Sequence, residues 1–164
     1  MMGPRRSGLL LHPTSLDGPW GIGDLGTGAR SFVNFLAAAD QTIWQLLPLC
    51  PTDGALGESP YSSPSALAGN LLLLSPEDLV EAGWIDELPQ QQQGDRSRVD
   101  FRWARRMKTG LVEAAFGRFL EGGKEEEKVA TFCRHQAWWL DDHCLFEELK
   151  THHNGLPWTA WDEP

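Results

Sequence analysis

Side chains able to act as metal ligands, nucleophiles or proton carriers fall into two groups along the chain. Cys133, His135, His143 and Cys144 share one helical stretch in the last third. A helix rises about 1.5 Å per residue, so steps of eight to eleven residues separate these groups by roughly 12 Å or more. Four such residues cannot surround one zinc ion, and no metal site is expected. They read instead as core cysteines and helix-capping histidines. Cys50 has no defined base near it in sequence and reads as a small buried residue rather than a nucleophile. His12 ends an apolar run and precedes Pro13, a position that suits a structural hydrogen bond or the orientation of a site.

The second group is acidic: Asp24, Asp53 and Glu58 stand in Gly- and Pro-rich loops that should face a ligand. Cleavage of a glycosidic bond with retention would need two carboxylates about 5 Å apart. No spacing in the chain fixes such a pair, so no catalytic residue is assigned. The pairs Asp141-Asp142 and Glu147-Glu148 read as solvated helix faces. The longest irregular stretch, residues 48–75, also carries Tyr61, the one tyrosine beside eight tryptophans and seven phenylalanines. Long irregular connections are uncommon in compact domains and those that persist are often binding loops. A flat ring with a polar tip on such a loop suits stacking on a sugar or holding a polar ligand.

Elements must hold these loops in place. Residues 7–11 (Ser-Gly-Leu-Leu-Leu) read as a short buried strand stopped by His12-Pro13. The following segment, residues 14–26, contains four glycines, but it lacks Gly-Lys-Ser/Thr and the dinucleotide spacing, which excludes nucleotide binding there. Residues 27–40 turn helical, with Ala29, Phe32, Val33, Leu36 and Ala37 on one face. Residues 42–47 are a second buried strand. Strand, helix and strand within some 40 residues make a βαβ unit with parallel strands, whose ligands sit at the carboxyl ends. The loops after His12 and Leu49 should therefore face one site.

The rest reads as helical. Ser75 caps a short helix with Pro76 at its first position, Asp78 completing a capping box and Gly83 stopping it. Residues 88–98 are a polar connector, including four glutamines. Helices should cover residues 101–120, ended by Gly122-Gly123, and 124–152, stopped by Asn154-Gly155. The second carries Val129, Phe132, Gln136, Trp139, His143 and Phe146 at three- and four-residue steps, with acids at its start and bases at its end. Residues 156–164 show no further element. The fold class is α/β: two parallel strands in residues 1–74, followed by a mainly helical subdomain in 75–164.

Bulk composition narrows the partners. A formal net charge of −9, with 14 basic residues among 164, argues against nucleic acid or an anionic membrane. No apolar run approaches the ~18–20 residues of a membrane span. Three cysteines imply no disulfide framework, and a cytoplasmic setting is expected.

Residues 6–26 (Arg-Ser-Gly-Leu-Leu-Leu-His-Pro-Thr-Ser-Leu-Asp-Gly-Pro-Trp-Gly-Ile-Gly-Asp-Leu-Gly) closely resemble the opening of 4-α-glucanotransferases of the amylomaltase, or disproportionating enzyme, family. The likeness continues through residues 44–49, Pro51-Thr52, Glu58-Ser59-Pro60-Tyr61-Ser62-Ser63, Ser65-Ala66, Ala68-Gly69-Asn70, residues 137–140 and Leu156-Pro157-Trp158. It implies the amino-terminal part of a (β/α)8 TIM barrel, its first two parallel strands followed by a helical insertion. It also implies transfer of α-1,4-glucan segments between maltodextrins through a retaining glycosyl-enzyme intermediate, without a cofactor. By the same resemblance Ser59 and Tyr61 lie beside the donor sugar. The family's catalytic aspartate, glutamate and second aspartate belong to a later part of the barrel, so an isolated fragment is expected to be inactive. The chain departs from the family pattern in this loop, which is two residues longer and lacks a first tyrosine, and at Asp17 and Leu71, where prolines are usual. Two other readings fit the residues: a glucan-binding remnant without catalysis, and a helical interaction module built on residues 75–153.

Overall fold

A computed structural model describes residues 5–92, 97–122 and 125–161. Strand β1 (Gly8–Leu10) pairs in parallel with β2 (Ile43–Gln45), setting Gly8 opposite Ile43, Leu9 opposite Trp44 and Leu10 opposite Gln45. The approach is close enough that a Cβ at position 8 would lie 2.2 Å from the Ile43 carbonyl oxygen, so only glycine fits. Helix α1 (Thr27–Ala38) connects the strands, and the edge of Phe32 rests on Trp44 with ring centroids 5.0 Å apart. This is the expected βαβ unit. Of the expected inner face of α1, Ala29 and Leu36 are buried, whereas Val33 is half exposed.

The strands differ from expectation in one respect: they are not buried. Leu10 is 56% and Ile43 43% exposed. The sheet has two strands among the described residues, so their outer edges and much of their surface meet nothing. The hydrophobic centre of the unit lies instead beyond the strand ends, where Ile22, Leu72 and Ala104 are buried together under Val99, Phe101 and Trp103.

Ser75 caps helix α2 (Pro76–Glu81) by accepting the Asp78 amide at 3.1 Å. The capping box goes no further, because the Asp78 carboxylate turns to Arg30, with contacts of 2.8 and 3.1 Å. Gly83, at φ +74°, ends α2: its amide reaches Val80 and that of Trp84 reaches Leu79, the double bond of a Schellman turn. Helix α3 (Phe101–Gly122) starts at Asp100, whose carboxylate accepts the Trp103 amide at 2.9 Å, and runs two residues past its expected end. It packs on the 3-10 turn Leu71–Leu73. The expected stop at Gly123, the middle of the 88–98 connector and the first helical residue Lys124 lie outside the described residues.

Contacts divide the chain into two units, Met1–Gly122 and Gly123–Pro164. In the second, α4 (Glu126–His152) ends on Asn154 at φ +54° and leads to a 3-10 turn, Trp158–Ala160, that the sequence did not announce. Trp161 stacks on His153, centroids 5.1 Å apart, and lies 5.6 Å from Phe146. None of the residues of α4 is buried. Cys133 and Cys144, expected in a core, are exposed on this helix without buried residues; Cys50 is half-buried. No helix among the described residues is long and apolar enough to cross a membrane.

Candidate functional site

The loops that leave the two strands converge. After β1, His12 caps the 3-10 turn Pro13–Ser15, its Nδ1 accepting the Thr14 amide at 3.3 Å and standing 2.7 Å from the Thr14 hydroxyl. Because Nδ1 accepts, the proton sits on Nε2, which donates to the Pro48 carbonyl at 3.3 Å, on the loop after β2. Burial lowers the imidazole below its ordinary 6.5, the Pro48 carbonyl opposing it, and so favours this neutral form. Two further ties hold the loops: Trp44 donates to the Leu11 carbonyl at 2.8 Å, and Asn70 donates to that of Cys50 at 3.1 Å while accepting the Leu72 amide at 3.0 Å.

Between them lies a cavity of about 180 Å³, lined by His12, Thr14, Thr52, Glu58, Pro60 and Phe101 among others. The Glu58 carboxylate accepts from the Thr52 hydroxyl and from Arg105 Nη2 at 2.6 Å, and the same guanidinium nitrogen reaches the Thr52 carbonyl at 3.1 Å. Pro60 carries the wall to Tyr61, which is 73% exposed; its amide donates to the Ser59 hydroxyl at 3.3 Å, and the Ser62 amide to the Ser59 carbonyl.

The three loop carboxylates expected to face a ligand serve different ends. Glu58 lines the cavity. Asp53 caps the 3-10 turn Gly54–Leu56 through the Ala55 amide at 2.8 Å. Asp24 turns inward to Lys108, whose side chain is 1% exposed: Nζ donates to Asp24 at 3.0 Å and to the Leu72 and Leu74 carbonyls, each at 2.6 Å. The other Asp24 oxygen accepts the Gly26 amide at 2.9 Å. Burial pushes the Asp24 carboxyl above its ordinary range despite the Lys108 charge, and lowers the Lys108 ammonium in the same way. The three loop carboxylates thus bind different partners: Arg105 and Thr52 hold Glu58, the Ala55 amide is bound by Asp53, and Lys108 and the Gly26 amide hold Asp24.

Arg105, Lys108 and Asn70 were missed in the sequence. Lys108 had a signal: it falls at the helical step of Phe101 and Ala104, on the stripe of α3 that faces the core, where a charge needs a partner.

Taken together, the parallel pair, its connecting helix and the cavity at the carboxyl ends of both strands define an α/β protein whose candidate site is built from strand-end loops. Residues 11–164 match the family model described as 4-alpha-glucanotransferase. The 4-alpha-glucanotransferase of Thermus thermophilus is 46% identical across 98% of this chain and that of Synechocystis sp. 45% across 99%, covering 32% and 33% of those proteins. The amylomaltase from Streptococcus agalactiae in complex with acarbose superposes with a TM-score of 0.88 at 34% identity, over 98% of this chain and 32% of that one. The chain belongs to the 4-alpha-glucanotransferase family, and spans about a third of the length of these relatives.

Proposed function

We propose that this chain forms the first two strands and the donor-side loop of a (β/α)8 barrel 4-α-glucanotransferase, which moves α-1,4-glucan segments between maltodextrins through a retaining glycosyl-enzyme intermediate. The observation that carries the reading is the convergence of both strand-end loops on one cavity lined by Pro60, the residue before the largely exposed Tyr61. Residues 1–74 supply the strands and site loops and 75–164 the helical insertion. The exposed strand surfaces fit a sheet made to be extended by further strands. The full-length relatives and the family description support the chemistry, and the acarbose-bound amylomaltase supports a glucan-like ligand.

In this reading Tyr61 packs against or hydrogen-bonds the glucose whose anomeric carbon reacts, and Ser59 sets the turn that presents it. No cofactor, nucleic acid or membrane takes part, the protein works in the cytoplasm, and these 164 residues alone do not turn over. The catalytic carboxylates come from the part of the relatives that this chain does not match. Titration with acarbose or a maltodextrin tests the site. The native chain should bind with low affinity and Tyr61→Ala should lose most of it without a change in melting temperature, since the ring is largely exposed. Equal binding by both proteins would remove Tyr61 from the site. The competing helical module is disfavoured by α3, which packs its buried residues Ala104 and Lys108 against segments from residues 22–74.

A further inference from the structure

We infer that Arg105, on helix α3, is the positioning residue that fixes Tyr61, and that it does so through Glu58. The loop makes its sharpest turn at Gly57 and Glu58, both left-handed, at φ +70° and +56°. A glycine holds that conformation freely; a glutamate does not, and has to be held there. The Glu58 amide closes onto the Asp53 carbonyl at 3.0 Å, and its carboxylate, 10% exposed, is taken by Arg105 and the Thr52 hydroxyl. Arg105 also binds the Thr52 carbonyl, so one guanidinium joins both limbs of the loop to α3.

Little freedom remains between Glu58 and Tyr61. Pro60 fixes its own φ, and the Ser59 hydroxyl and carbonyl bind the Tyr61 and Ser62 amides. The largely exposed ring of Tyr61 has little packed around it, so its place follows from this short backbone. Whatever holds Glu58 therefore aims Tyr61. The loop is two residues longer than the pattern of the family it resembles, which gives the clamp more chain to restrain.

The consequence for sugar rests on the donor-site reading above; the clamp itself does not, and the two are measured separately. Amide exchange is followed in the 164-residue chain as native protein, Arg105→Gln, Arg105→Lys and Glu58→Gln. The amides of Glu58 and Ser62 report on the loop and that of Ala104, bonded to the Asp100 carbonyl within α3, serves as control. Loss of a charge-assisted contact of this kind should speed loop exchange about tenfold or more in Arg105→Gln and Glu58→Gln. Arg105→Lys should restore part of the protection, and Ala104 should not change. Acarbose affinity should fall in the same order as loop protection. Unchanged exchange at Glu58 and Ser62 in Arg105→Gln overturns the clamp, whatever the sugar does. A loosened loop with native acarbose affinity, where Tyr61→Ala loses it, overturns the positioning role. If Tyr61→Ala binds acarbose as the native chain does, the donor-site reading fails instead, and the exchange rates still decide the clamp.

Discussion

Replacing Lys108 by Met keeps the volume and the apolar stem while deleting the ammonium. Three acceptors then lose their donor: the Asp24 carboxylate and the carbonyls of Leu72 and Leu74, all within 3.0 Å of Nζ. With the lysine side chain 1% and that of Asp24 8% exposed, water cannot replace it without opening the core. Removing one member of a buried pair costs about 3–5 kcal/mol, because the other charge is left unpaired. Urea unfolding should show a loss of this size at neutral pH, a large share of a typical ~5–15 kcal/mol. The deficit should depend on pH in a definite direction. Asp24 already sits above its usual 3.8 in the folded protein, and without the ammonium it rises further. A raised carboxyl favours folding below the unfolded value, and that advantage is lost as pH rises through the folded one. The Lys108→Met deficit should therefore be smallest near pH 4 and full at neutrality. Asp24→Asn in the Lys108→Met background should recover part of it, since the amide oxygen can still accept from Gly26 and no buried charge remains. A neutral-pH loss below about 1 kcal/mol, or one that does not change with pH, would refute the ion-pair account.

Three other outcomes follow from the geometry. His12 has its imidazole lowered by burial, so folding stability is full above 6.5 and falls as the pH drops through the folded value. Thermal melts between pH 7.5 and 5 should show this decline in the native chain and not in His12→Asn. Gly23→Ala would place a Cβ 2.2 Å from the Pro13 carbonyl oxygen and 2.5 Å from that of Leu16, and should cost about 1–3 kcal/mol or more in urea unfolding as the backbone gives way. Ser75→Ala removes the cap of α2 and should lower stability by about 1 kcal/mol in the same assay.

The βαβ start was legible because its signals are local: apolar runs of strand length, one amphipathic helix and glycine-rich punctuation between them. Helix ends were legible for the same reason, with Gly83 and Asn154 falling where their left-handed backbone is required. Strand burial was misread, since periodicity records which residues are suited to a core and not what packs against them. The site was half legible. The strand-end position of His12 and the placing of Glu58 on a loop beside the cavity could be read directly. The partners of Glu58 and Asp24 could not, because Arg105 and Lys108 lie 47 and 84 residues away in sequence and meet them only in the fold.

The parallel pair also has a consequence for synthesis. β1 and β2 lie 35 residues apart in the Gly8↔Ile43 register, with α1 between them, so they can meet within seconds of translation at roughly 5–20 residues per second. A pair formed at that stage is a sheet with two bare edges. Leu9, Leu10 and Ile43 stay uncovered in the folded 164 residues. When these 164 residues are expressed alone, the open strand edges beside those side chains are a seed for strand-to-strand association between copies, and slower synthesis at lower temperature should raise the soluble yield.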